Sequence, residues 1–374
     1  MILLDLEARA YRNLAASRVQ FGPHANLVLG ANGAGKTNLL EAVVVLGNLR
    51  SFRTATLRSA VRHGDSAFSL IGTIRIGDRD HRLEQIVEFG PTQTRSLRVD
   101  RVDVDPGTYL QYFPVFAVSG DDRELVSGGP QGRRALLDRF VFLLRPAHLE
   151  DLKTYRRVIR QRNAAVIHGA SPEEHDVWET RLAAAAARIV VARRAGVKVL
   201  ADRFSEVWRD LADEDATDIE LAYRGDPSAD PGETPEKVEE LYRRRYNETR
   251  PRDRQMGFTV DGPHRHDLSL RTRGRSVRYV LSSGQVKAVA AALRLATLAQ
   301  VEKERRELYP VIVDDVDAEL DGASLARLIG SLGNERQLFL SSTNEQVAAL
   351  VGSRRQCLFM ENGTCVAQEA NSHE

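Results

Sequence analysis

Eight residues constrain this chain more than any others: Gly30-Ala31-Asn32-Gly33-Ala34-Gly35-Lys36-Thr37. They follow the short apolar run Leu27-Val28-Leu29 and precede a Leu/Ala/Val-rich stretch of helical length, 38–46. A buried strand, a glycine-rich turn G-x-x-x-x-G-K-T and a helix, in that order, make a phosphate cradle. Gly30, Gly33 and Gly35 let successive backbone N–H groups close on phosphate oxygens, and the helix aims its positive end at the same anion. Lys36 is expected to reach the β- and γ-phosphates, and the Thr37 hydroxyl to ligate Mg²⁺. The ligand expected from this is a nucleoside triphosphate, ATP first.

Such a loop needs a carboxylate for the metal, and Val311-Ile312-Val313-Asp314-Asp315 places an acidic pair at the end of an apolar strand. Asp314 is expected to hold Mg²⁺ and Asp315 to orient or deprotonate the attacking water. Between the two motifs stands Leu281-Ser282-Ser283-Gly284-Gln285, directly before a helix; Ser282, Gly284 and Gln285 offer a hydroxyl, a backbone N–H and a helix dipole to a phosphate. Taken alone this segment reads as a helix cap. Its place in the chain resembles the signature of ABC ATPases, in which one subunit closes over the γ-phosphate bound by another. Ala318-Glu319-Leu320-Asp321 falls where that group has its D-loop.

The rest of the chain is organised around these motifs. Its 374 residues suggest about two to three domains. Alternating stretches at 68–76 and 83–89 read as strands, and 130–169 is helical and basic. Trp178, Leu182, Ala185, Ile189 and Ala192, then Val197, Leu200, Phe204, Val207 and Leu211, recur at four-three spacing, with one break near Gly196. This seam fits a helical hairpin or bundle. The turn formers at 225–232 read as a linker, 241–246 as a basic helix, and Asn362-Gly363 as a two-residue hairpin turn. Cys357 and Cys365 alone make no disulfide framework. No signal peptide or membrane-length apolar run is visible, so the expected location is the cytosol.

Several further segments resemble the RecF family of SMC/Rad50-like ATPases. They are Tyr11-Arg12-Asn13-Leu14, the loop running into Asn38-Leu39-Leu40-Glu41-Ala42, and Arg50-Ser51-Phe52-Arg53-Thr54. With them go Gly128-Gly129-Pro130, Arg133 to Asp138, Arg160-Gln161-Arg162-Asn163 and Gly262-Pro263-His264-Arg265-His266-Asp267-Leu268. Departures are Val286-Lys287 after the signature, the segment 116–122, and Ser341-Ser342-Thr343-Asn344 where many members have Thr-Thr-Asp. The resemblance implies an α/β, ABC-type ATPase head, a P-loop core with mixed sheets, carrying an inserted and mainly helical second lobe. The head is expected at 1–115 and 257–374 and the lobe at 116–256. It implies a weak DNA-dependent ATPase whose main role is DNA binding in repair, replication and the SOS response. ATP-driven homodimerisation would clamp DNA at single-strand/double-strand junctions near the nucleoid and aid recombinase loading with the RecO and RecR mediators. An ATP-dependent nuclease component and an SMC-like structural ATPase are the competing classes.

The formal net charge is only +1, so attraction to DNA must come from local clustering. Arg133, Arg134, Arg156, Arg157 and Arg160 are the candidate phosphate contacts, with Arg156 and Arg160 on one helix face. A second acid-free stretch carries Arg271, Arg273, Arg275, Arg278 and Lys287. His264, His266 and Asp267 read as structural hydrogen-bonding residues rather than a metal site.

Overall fold

The computed structural model describes residues 1–212, 217–225, 227, 234–316 and 322–367. The chain forms two compact units. The first comprises Met1–Asp122, Asp210–Ala212 and Arg305–Glu374, the second Arg123–Arg209 and Asp213–Glu304.

Two six-stranded sheets build the first unit. One contains β1 (Ile2–Arg9), β2 (Arg18–Gln20), β4 (Ala67–Ile76), β5 (Arg79–Phe89), β6 (Gln93–Val99) and β7 (Val102–Asp103), in the order β2-β1-β4-β5-β6-β7 and antiparallel throughout. The other contains β3 (Ala25–Leu29), β8 (Phe116–Val118), β12 (Val311–Val313), β13 (Leu338–Ser342), β14 (Arg355–Glu361) and β15 (Thr364–Ala367), in the order β15-β14-β3-β13-β12-β8. Its strands are parallel except β15.

Helix α1 (Lys36–Asn48) is apolar on nearly every face, and a helix of that kind must be covered on all sides. Leu39, Leu40 and Val43 to Leu46 share one core with Leu70, Ile74 and Leu83 of the first sheet and with Ile312, Phe339 and Leu358 of the second. Each such fully buried aliphatic side chain contributes roughly 1.5–3 kcal/mol. The alternation read at 68–76 is real: Phe68, Leu70 and Ile74 of β4 are buried at period two. Asn362 and Gly363 both have positive φ, 49° and 81°, and close the β14–β15 hairpin as an Asn-Gly turn should. Short helices α2 (Pro106–Tyr112), α9 (Gly322–Leu332) and α10 (Val347–Leu350) complete this unit.

In the second unit, helices α3 (Arg123–Ser127), α4 (Pro130–Leu144), α5 (His148–His168), α6 (Pro172–Leu211), α7 (Pro235–Met256) and α8 (Ser283–Arg305) accompany a three-stranded sheet. That sheet is β9 (Glu220–Arg224), β10 (Asp267–Thr272) and β11 (Arg275–Ser276), ordered β11-β10-β9. The heptad seam is neither a hairpin nor interrupted. α6 is one helix of 40 residues, about 60 Å long at 1.5 Å per residue. The break at Gly196 marks a close approach: a Cβ there would lie 2.7 Å from Val141 Cγ2 of α4. Leu182, Ala185 and Ile189 pack with Tyr155 and Val158 of α5 and with Val238, Tyr242 and Tyr246 of α7.

The chain does not rejoin the first unit at residue 257. Asp267 to Arg271 pair in register with Arg224 to Glu220, which ties β10 to β9 inside the helical unit, and re-entry comes at Arg305. Of the expected linker, only Gly225 and Pro227 are among the described residues. No described helix is long and apolar enough to cross a membrane.

Candidate nucleotide site

The glycine loop leaves the C-terminal end of β3 and is held from behind by the β14–β15 hairpin. Gly30 (φ 149°) lies so close to the Met360 carbonyl oxygen that any Cβ would collide with it. Gly35 (φ 109°) caps α1 in the left-handed region, where a Cβ would sit 3.1 Å from both Asn13 Oδ1 and Met360 Cε. The hairpin tip is bonded to the loop, since the Gly363 N–H donates to the Ala34 carbonyl at 2.9 Å. Ala31, Asn32 and Gly33 form the exposed rim. Lys36 is buried, and its ammonium donates to the carbonyls of Gly30 (2.7 Å) and Ala31 (3.1 Å), so it lies inside the curve of the loop.

Asp314 follows β12, two strands away. β13 lies between, pairing Ser342 with Leu29 of β3 and Leu340 with Val313 of β12, so all three strands end in line. This is the carboxyl edge at which open parallel sheets bind ligands. Ser341 bridges the acidic pair: its hydroxyl donates to Asp314 Oδ1 at 2.6 Å and accepts from the Asp315 N–H at 2.7 Å. Burial pushes the Asp314 carboxyl above the usual carboxylate range. The hydroxyls of Ser341 and Thr37 pull against that shift, and the charge of Asp315 adds to it. Asp315 is exposed, with φ 52°.

Residues that the motif reading did not assign to this site surround α1. Glu41 is fully buried and accepts from Arg12 Nε and Nη2, both at 2.8 Å, and from Ser51 Oγ at 2.5 Å. Arg53 Nη1 donates to Asn38 Oδ1 (2.8 Å), Asn38 Nδ2 to Asn13 Oδ1 (2.7 Å), and Asn13 Nδ2 reaches the Gly33 carbonyl at 3.4 Å. This side-chain relay ties the loop rim to segments 11–14 and 50–54. The available signal was a glutamate in an otherwise apolar helix, which requires a buried cationic partner.

The chain matches the family described as RecF/RecN/SMC N terminal domain over residues 2–365. It is 36% identical over 352 residues to the DNA replication and repair protein RecF of Anaeromyxobacter sp. strain Fw109-5, covering 93% of this chain and 94% of that one. The chain belongs to the RecF family. It is 29% identical over 348 residues to the RecF protein of Exiguobacterium sp., covering 92% and 93% of the two chains. In fold it is similar to a solved recombination mediator protein RecF-ATP of the RecFOR pathway (TM-score 0.89, 24% identity, 98% and 99% coverage). It is more distantly similar to an SmcHead bound to the C-winged helix domain of ScpA (TM-score 0.55, 15% identity, 98% of each chain). The ABC-type α/β head with its long helical insertion is thus the fold of RecF and Smc heads.

Against that RecF background, the signature segment is a reciprocal capping box. The Ser282 N–H donates to Gln285 Oε1 at 3.0 Å and the Gln285 N–H to Ser282 Oγ at 3.3 Å. Ser282, Gly284 and Gln285 are exposed at the start of α8, in the second unit. Ala318, Glu319, Leu320 and Asp321, the expected D-loop, lie outside the described residues.

The five candidate DNA arginines separate into two kinds. Arg133 is buried and doubly bonded to Asp267, both contacts at 2.8 Å, while Nη1 donates to the carbonyls of Leu125 and Gly128. Arg134 is partly buried and donates to the His266 carbonyl at 2.7 Å. Those two guanidinium groups fasten α4 to β10. Arg156, Arg157 and Arg160 stand exposed on α5. Both ring nitrogens of His264 and of His266 have partners: Tyr155 Oη and the Thr259 carbonyl for the first, Tyr223 Oη and Tyr242 Oη for the second. Among the described residues no group of three or more His, Cys, Asp or Glu is placed to hold a metal ion.

Proposed function

We propose that this chain is an ATP-dependent DNA-binding protein of replication and recombinational repair. The observation that carries the reading is Asp314. It is a buried carboxylate with hydroxyls beside it and no ion pair among the described residues, on the same sheet edge as a glycine loop that encloses a lysine ammonium. A desolvated carboxylate whose bonded partners are hydroxyls, with the charge of Arg53 the smallest influence on it, is suited to a cation. Gly30 to Gly35 would then wrap the phosphates of ATP, Lys36 would neutralise the outer ones, and Thr37 with Asp314 would hold Mg²⁺. Mg²⁺ would supply charge neutralisation across the β- and γ-phosphates. Asp315, exposed and fixed through its own N–H, stands ready to orient or deprotonate water.

The exposed Ser282, Gly284 and Gln285 lie in the other compact unit. In our reading they serve a nucleotide bound by a second copy, so that ATP closes a homodimer on DNA and slow hydrolysis opens it. Kinship with the RecF proteins supports single-strand/double-strand junctions as the DNA, and RecO and RecR as partners. Exposed Arg156, Arg157 and Arg160 suit sequence-independent phosphate contact.

Sedimentation with and without ATP, repeated with gapped and intact duplex, tests this. ATP should convert monomer to a dimer retained on DNA, and Lys36→Ala should weaken ATP binding by about 100-fold, since one charge-assisted phosphate contact is worth about 1.5–3 kcal/mol. A chain that stays monomeric under all four conditions overturns the clamp.

A further inference from the structure

Between Asp267 and Glu302 the sequence contains no acidic residue, while Arg271, Arg273, Arg275 and Arg278 crowd its first part. The structure gathers the first part of this stretch into a compact feature of the second unit. β10 turns into β11 through Arg273 and Gly274, with Thr272 paired to Arg275. Both turn residues have positive φ, 47° and 74°. A turn of that hand favours Asn-Gly, so an arginine stands where a smaller residue would be less strained. Arg271 Nε donates to the Gly274 carbonyl at 3.1 Å and braces the turn from inside. Arg273, Arg275 and Arg278 are exposed, and among the described residues none has an ion-pair partner.

The next residue, Tyr279, is 77% exposed, and Val280 beside it is 47% exposed. The Arg278 guanidinium carbon lies 4.8 Å from the Tyr279 ring centroid, so cation and ring form a layered pair at the surface. An exposed tyrosine layered on Arg278 thus shares a short segment with the exposed Arg273 and Arg275 of the preceding hairpin, and the chemistry of that segment matches one kind of ligand. The arginines suit phosphates, and the ring offers a flat face to a base. Bases of intact duplex are stacked on one another and cannot take that face, whereas unpaired nucleotides can.

We propose that Tyr279, layered on Arg278 and preceded by the hairpin arginines Arg273 and Arg275, is a stacking platform for unpaired nucleotides of a nucleic-acid strand. It deepens the DNA-binding reading above and rests on it. The arginines hold the backbone of the strand, and the tyrosine makes the site prefer single-stranded over paired segments.

The test uses the full chain with ATP and fluorescence anisotropy of a labelled oligothymidylate, a blunt duplex and a gapped duplex. Tyr279→Ala should weaken oligothymidylate binding about 10-fold, the scale of one lost base–aromatic stack, and leave the blunt duplex within about 2-fold. Tyr279→Phe should restore it. Changing Arg273, Arg275 and Arg278 together to Ser should make the single-strand salt dependence shallower by about 2 in the log–log slope, as three lost phosphate contacts require. Unchanged oligothymidylate binding by Tyr279→Ala, or equal loss on blunt duplex, overturns the platform while leaving the DNA-binding reading intact. A parent protein that binds none of the three DNAs overturns both.

Discussion

Two carboxylates in this molecule, the partly buried Asp138 and the buried Asp314, have opposite electrostatics. In the helical unit, Asp138 accepts from Arg193 Nε (2.8 Å) and Nη2 (2.9 Å) and shares a hydrogen bond with His148 Nε2 (3.0 Å). Burial opposes ionisation there, yet those partners win and hold the carboxyl at about 2. Nearby, Arg162 is fully buried between Asp253 (2.6 Å) and Glu179 (3.0 Å). In the first unit Asp314 has hydroxyls where Asp138 has cations, and burial pushes it up instead. A completed ion pair is architecture; an incomplete one is an invitation to a ligand. The same rule sorts the arginines, since Arg133 spends its donors inside the fold while Arg156, Arg157 and Arg160 stand exposed without a carboxylate partner among the described residues.

The comparison breaks most easily at Arg162. Arg162→Met should destabilise the helical unit by about 3–5 kcal/mol, because Asp253 stays buried without its cation and Glu179 keeps only Arg250 (2.7 Å). Urea unfolding followed by circular dichroism measures this, and a loss below about 1 kcal/mol would show that the pairs are not structural. Acid should act next. Burial, and for His266 the charge of Arg193, hold His264 at about 4 and His266 at about 3. Both lie below the ordinary histidine value, so the unfolded chain binds protons that the folded one refuses. Stability is therefore complete above about pH 6.5 and falls as pH drops towards 4, by on the order of 2–4 kcal/mol at pH 5. Unfolding midpoints across that range should move accordingly, and a flat profile would contradict it.

Ser341→Ala tests the other side. It removes one hydroxyl from Asp314 and the acceptor for the Asp315 N–H, which should cost about 1–3 kcal/mol and weaken Mg²⁺-dependent ATP binding. Ser341→Thr, which keeps the hydroxyl, should recover both in calorimetric titration. The smallest effect on stability is expected from Arg156→Ala with Arg160→Ala, within about 0.5 kcal/mol. The same pair should reduce the salt slope of duplex binding by about 2. A large stability loss would place these two arginines with Arg133.

The local structure of the glycine loop, the acidic pair and the cap was legible because each is set by near neighbours in the chain. A phosphate loop is a run of backbone conformations, and glycine, lysine and threonine at fixed offsets specify it within eight residues. The Asn362-Gly363 turn and the alternation of β4 were legible for the same reason. The seam at 178–211 was legible as helix but not as a single helix. A glycine between heptads reads equally as a break or as a close crossing, and only Val141 decides between them.

By itself, then, the sequence determined what rests on near neighbours in the chain: the loop, the acidic pair, the helix cap at Ser282 and Gln285, and the period of each element. Tertiary structure decided what depends on partners far along the chain. It set Ser341 between Asp314 and Asp315, closed Arg12 and Ser51 on Glu41, and turned Arg133 inward to Asp267 across more than a hundred residues. It also assigned β10 to the helical unit through pairing with β9. The physical reason is that composition fixes how much charge a segment carries, whereas burial and the groups brought alongside fix whether that charge is already spent.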